Sequence, residues 1–143
     1  MIELFSIPVE QAVLCTLMDH EQGVSDYIEQ LEEKDFYATR HQIIFHHIKQ
    51  QHSKGESHDV VVIWDCIRAN SQESSQVDES YLIQLSKSIA HLRLLDTYVK
   101  KIKDFSTRRE IQDLSKQVSV IANDTASYTG ESAIEKVQAL VDA

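Results

Sequence analysis

The chain has 143 residues, 42% of them hydrophobic, enough to fill one modest core without disulfide or metal staples. Its formal charge of −9 repels nucleic-acid phosphates overall, so non-specific DNA binding is not expected, and a basic protein surface is an easier partner. The longest apolar run, Val60 to Trp64, is far too short to span a bilayer, and the N-terminus lacks the cationic-then-apolar pattern of a secretory leader. Cys15 and Cys66 both fall within apolar stretches and read as buried reduced thiols, which fits a cytoplasmic setting.

Three glycines and a single proline predict long helices and few tight turns. The first helix is expected to begin at Pro8, where the missing N–H costs nothing, with Ser6 placed to cap it. Val9, Val13 and Leu17 then recur every fourth residue as a core-facing stripe. After Gly23, Tyr27, Ile28 and Leu31 mark a short second helix. Asp35-Phe36-Tyr37 leads into a third, where His41, Ile44, Phe45 and Ile48 follow the i, i+3, i+4, i+7 spacing of one buried face. A loop centred on Gly55 follows, and Asp59 is placed to cap a fourth helix with Val60, Ile63, Trp64 and Ile67 on its face. The run Val60 to Trp64 also suits a buried strand by propensity. Helix is preferred because the face continues to Ile67. Asn70 to Gln76 reads as a polar loop, and Tyr81, Leu82, Leu85 and Ile89 as a fifth helix.

From about His91 the pattern changes. Leu92, Leu95, Val99 and Ile102 are spaced three, four, three, as in a coiled-coil seam, and Ile111, Leu114, Val118 and Ile121 repeat that spacing. Nine residues rather than seven separate Ile102 from Ile111, so a bend or a change of packing partner is expected around Ser106 to Arg109. Asn123 to Gly130 is a turn, and Ala133, Ile134, Val137, Leu140 and Val141 form a last amphipathic helix. The expected fold is all-α: a globular head of five or six helices over residues 1–104, then a C-terminal helical hairpin over residues 105–143. Neither hairpin helix can bury its stripe alone. Ile111, Leu114, Val118, Ile121, Ile134, Val137 and Leu140 are therefore the candidate residues for self-association and partner docking.

Catalytic chemistry is not in evidence. There is no G-x-x-x-x-G-K-[ST] phosphate cradle, no G-x-S-x-G and no C-x-x-C, which excludes ATP hydrolysis by these residues alone. His41, His46, His47, His52 and His58 crowd into eighteen residues, but none of their spacings is the i, i+4 pair of a helical zinc site. An enzyme built on this cluster is the least favoured reading. His41 is expected on the core stripe, hydrogen-bonding the backbone, and His46 and His47 on the solvated side. Lys100, Lys101, Lys103, Arg108 and Arg109 read as a solvated helix face balanced by Asp104 and Glu110, and Glu32-Glu33 as helix-end solvation. No catalytic, cofactor-binding or metal-ligating residue is assigned.

Several of these stretches, in order, resemble the N-terminal domain of the DnaB family of bacterial replicative DNA helicases. Pro8, Glu10, Ala12, Val13 and Leu14 look like that family's P-x-E-x-A-V-L opening. Asp35, Phe36 and Tyr37, then His41, Ile44 and Phe45, are similar to its D-F-Y and H-x-x-I-F. Tyr81, Leu82 and Leu85, and then Tyr98 and Ile102, resemble its later segments. Three places depart from the pattern: Cys15 stands where glycine is usual, residues 71–78 form a polar insert, and Val137-Gln138 replaces an Ala-Glu pair. The resemblance implies a non-catalytic domain that dimerises, builds a collar on a hexameric ring, and receives the helicase-binding domain of primase and the helicase loader during DNA replication. It implies no direct nucleic-acid contact by this domain. The alternative is a stand-alone phage- or plasmid-borne mimic of the helicase head that inhibits or redirects the helicase.

Overall fold

The computed structural model describes residues 2–88 and 90–143, and every regular element among them is helical. Helix α1 (Ile7–Asp19) starts as the sequence predicts: Ser6 Oγ accepts from the Val9 N–H at 3.4 Å, and Pro8 occupies the first turn. Gly23, at φ +79°, turns the chain into α2 (Ser25–Gln30). A single 3-10 turn, Glu33–Asp35, then leads into α3 (Thr39–Ser53), whose buried residues include His41, Ile44, Phe45 and Ile48. Asp59 Oδ1 accepts from the Val62 N–H at 2.9 Å and opens α4 (Val60–Arg68). The Val60–Trp64 run is helical despite its β-branched residues, because a cap and a continuing face outweigh a weak propensity.

Residues 70–76 are not all loop: Ser71–Ser74 form a one-turn helix, α5, because Asn70 Oδ1 accepts from both the Gln72 and Glu73 N–H groups, at 3.0 and 3.2 Å. Helix α6 (Glu79–Ser86) follows and buries Leu82 and Leu85. Ile89, also assigned to this helix, lies outside the described residues.

A second 3-10 turn, Leu92–Leu94, leads into α7 (Leu95–Asn123), which runs unbroken for 29 residues, through Ser106 to Arg109. Helix α8 (Gly130–Asp142) completes the chain.

The described residues divide into two compact units, one ending at Ser106 and the other Thr107–Ala143. The first is built on one apolar core drawn from α1, α2, α3, α4, α6 and the first turns of α7: Leu14, Ile28, Phe45, Ile63, Leu82 and Leu95 are each fully buried. Phe36 and Phe45 pack ring to ring at its centre, 5.0 Å between centroids. Burying each such side chain contributes about 1.5–3 kcal/mol against the conformational entropy lost when the head orders. The second unit is the last turns of α7, a turn over residues 124–129, and α8.

Candidate docking surface

The hairpin unit is held at its turn by polar bonds. Asp124 Oδ1 accepts from the Ser127 N–H at 3.1 Å. Thr129 and Ser132 then cap α8 reciprocally: the Ser132 N–H donates to Thr129 Oγ1 at 3.2 Å and the Thr129 N–H to Ser132 Oγ at 2.8 Å. With its ends fixed, α8 and the last turns of α7 enclose a groove of about 280 Å³, lined by Val118, Ile121, Ala122, Ala133, Ile134, Val137, Gln138 and Val141. Its lining is almost entirely hydrocarbon, with Gln138 the one polar side chain, and it contains nothing that could act as acid, base or nucleophile. What it can do is accept another apolar surface.

Four of the seven residues singled out from the sequence, Val118, Ile121, Ile134 and Val137, meet in this groove. Their exposure differs sharply: Ile121 is only 7% exposed, whereas Ile134 is 70% exposed. Leu114 and Leu140 are half-buried on the same two helices, and Ile111 stands 62% exposed farther up α7. Ala122, Ala133 and Val141 also line the groove but are missing from the seven. Ala133 and Val141 already stand on the apolar face predicted for the last helix. The small side chain of Ala122 carries too little hydrophobic signal to mark a stripe.

The family-like residues of the head meet elsewhere, in a buried polar hub. Glu10 of α1 is 2% exposed and accepts from the Tyr37 N–H at 2.7 Å, the Ala38 N–H at 3.4 Å and His41 Nδ1 at 2.7 Å. On the far side of the His41 ring, Nε2 lies 2.6 Å from the Tyr81 hydroxyl, to which the Gln11 side-chain amide donates at 3.3 Å. With Glu10 accepting throughout, the His41 Nδ1 carries a proton and donates to it, while Nε2 and the Tyr81 hydroxyl share the second hydrogen bond. The Arg40 guanidinium covers the Tyr81 ring at 4.2 Å. His41 therefore does lie in the core, but its partners are side chains of α1 and α6 rather than backbone.

A second buried carboxylate, Asp35, receives Lys103 Nζ at 2.7 Å, Ser106 Oγ at 2.8 Å and the Glu32 N–H at 2.8 Å. Burial alone would raise its carboxyl. The bonds from Lys103, Glu32 and Ser106, with the Lys103 charge, outweigh burial and hold it below the usual range.

Three further histidines of the cluster also have carboxylate neighbours. His46 pairs with Glu33, His47 Nε2 lies 2.7 Å from Glu73, and His52 Nε2 lies 3.9 Å from Glu29. His46 and His47 are not simply solvated: both are partly covered, and His47 ties α5 to α3. Among the described residues no three His, Cys, Asp or Glu side chains gather to hold a metal ion. The basic cluster is largely engaged within the chain, Lys100 with Asp96 at 2.8 Å and Lys103 with Asp35, while Arg108 and Arg109 also have partners. Cys15 donates to the Ser88 carbonyl at 3.2 Å, and burial pushes its thiol up, with the Asp19 charge acting the same way. Cys66 is only half-buried. No helix among the described residues is long and apolar enough to cross a membrane.

Residues 2–104 match the family described as the DnaB-like helicase N terminal domain. The chain is 28% identical over 128 residues to the replicative DNA helicase DnaB of Buchnera aphidicola, covering 88% of this chain and 27% of that protein. It is 30% identical over 130 residues to the DnaB of Geobacillus stearothermophilus, covering 91% of this chain and 28% of that one. The chain thus spans little more than a quarter of these relatives. Among solved structures, the N-terminal domain of DnaB helicase from Mycobacterium tuberculosis superposes with a TM-score of 0.83 at 20% identity, covering 96% of each chain. The N-terminal domain of DnaB helicase from Helicobacter pylori, described together with its interactions with primase, superposes with a TM-score of 0.67 at 20% identity, covering 80% of this chain and 89% of that one.

Proposed function

Because this chain belongs to the DnaB-like helicase N terminal domain family, we propose that it is the non-catalytic assembly and docking domain of a replicative DNA helicase. In this reading the hairpin, residues 105–143, joins copies of the chain into a dimer or larger collar and offers its apolar side to primase or to a helicase loader. The head over residues 1–104 is the scaffold. ATP-driven unwinding belongs to a motor whose phosphate cradle is not among these 143 residues.

The observation that carries the proposal is the hairpin groove, an apolar surface whose rim residue Ile134 is 70% exposed. Such a surface costs free energy in water and regains it when covered, about 25 cal/mol for each Å² removed. The primase interactions described for the Helicobacter pylori domain support the choice of partner class.

Sedimentation of the purified chain, alone and with the helicase-binding domain of primase, tests the reading. The wild type should sediment as a dimer or larger species and bind primase. Ile134→Asp sets a charge on the groove without disturbing a buried contact, so it should be monomeric, with unchanged far-UV circular dichroism and weakened primase binding. A variant that associates and binds like the wild type would move the interface away from the groove.

A further inference from the structure

The connection between α3 and α4, residues 54–59, rests on a buried ring whose hydrogen bonding is incomplete. His58 is 2% exposed, and its Nδ1 is buried without a hydrogen-bond partner, the one such side-chain atom among the described residues. Its ring meets that of His52 edge to face, 6.0 Å between centroids. Around it the connection is pinned by polar bonds: the Gln51 amide donates to the Ser57 carbonyl at 3.1 Å, and Ser57 Oγ donates to Glu21 from the turn after α1. Gly55, at φ +71°, turns the chain just after α3.

We propose that His58, set against His52, is a proton-operated latch: neutral, it holds the 54–59 connection down on the head, and protonated, it releases it. Proton gain places a charge in a dry site beside a second imidazole, on a ring whose Nδ1 has no hydrogen-bond partner in the closed loop. The titratable groups facing the ring are His52 of α3 and Glu21 of the turn after α1; α1 itself adds the Leu17 carbonyl. Burial disfavours the charged ring most and His52 adds to it, while Glu21 and the Leu17 and His58 carbonyls favour it; burial prevails and the ring is held below its ordinary value. The released loop binds the proton more readily than the closed one. Closure is therefore complete above the free histidine value of about 6.5 and weakens as pH falls below it.

Amide hydrogen exchange on the full chain, resolved over residues 54–62 and corrected for intrinsic rates, tests the latch between pH 7.5 and 5. Protection of these amides should drop by up to about tenfold per pH unit below roughly 6.5, the limit for one proton. The helical circular dichroism should stay constant. His58→Gln should remove the dependence. His52→Gln, which leaves His58 in place and alters only a half-buried neighbour, should keep the onset near 6.5 but reduce the total loss of protection by pH 5, because the closed ring then resists the proton less. Constant protection in the wild type, a dependence that survives His58→Gln, an undiminished loss in His52→Gln, or loss of helix in step with the loop would each overturn the proposal.

Discussion

Glu10 shows how much a single side chain holds in this head. It accepts from two backbone N–H groups and from His41 while almost wholly buried. A buried donor left without its partner costs about 1–3 kcal/mol. Glu10→Ala strands up to three, so it should lower stability by about 3 kcal/mol or more, read as a fall in the urea midpoint. Glu10→Gln can still accept at its carbonyl oxygen and should cost less. Asp35 makes a prediction in pH instead. Its carboxyl is held below the unfolded value, so its contribution is fully present above about pH 4 and is lost as pH falls through the lower folded value. Urea midpoints at pH 6 and pH 3 should therefore fall more steeply for the wild type than for Asp35→Asn, which starts weaker because the Lys103 charge loses its counter-ion.

At the scale of elements, helix ends decide much of the fold, and they also decide what the sequence shows. Ser6, Asp59 and Pro8 mark their helices from sequence alone because capping is local chemistry within three residues. The four-residue spacing on α1 and α3 is equally visible, since a buried face repeats with the helical turn. Helix α5 is not visible: Ser-Gln-Glu-Ser has a loop's composition, and its single turn depends on Asn70 capping it and on Glu73 meeting His47 on α3. The hub is hidden for a related reason, since Glu10, His41 and Tyr81 lie 31 and 40 residues apart and no periodicity links them. Most of the hairpin groove is legible, Ala133 and Val141 included, because its residues repeat with the helical turn; Ala122, too small to mark the α7 stripe, is not. The reciprocal cap on α8 carries a prediction at this scale. Thr129→Ala should cost about 1 kcal/mol, seen as reduced amide protection in the first turn of α8 with the head unaffected.

At the scale of the whole molecule, the hairpin and the head answer to different substitutions. Leu114→Asp is the obvious disruption from sequence, but Leu114 is half-buried within its own unit, so a charge there disturbs folding and association together. Ile134, standing out in solvent, separates them. Phe45→Ala supplies the contrast. Truncating this fully buried ring should cost about 3–5 kcal/mol and unfold the head, whatever the state of association. A chain with Ile134→Asp that stays folded but monomeric, beside a Phe45→Ala chain that loses its helix signal, would place association and scaffolding on different residues.

The hub has a further consequence, for alignment. Helices with simple apolar stripes can slide past each other by one turn, about 5.4 Å, and still bury hydrocarbon against hydrocarbon. Here a one-turn slip of α1 would carry Glu10 away from the Tyr37 amide, the Ala38 amide and the His41 ring, leaving a carboxylate in a dry interior with nothing to accept from. The mis-set packing would thus be penalised by several hydrogen bonds at once, whereas the correct one satisfies them all. Glu10 acts as a register pin: it selects one arrangement of α1, α3 and α6 from several that the greasy faces alone would tolerate.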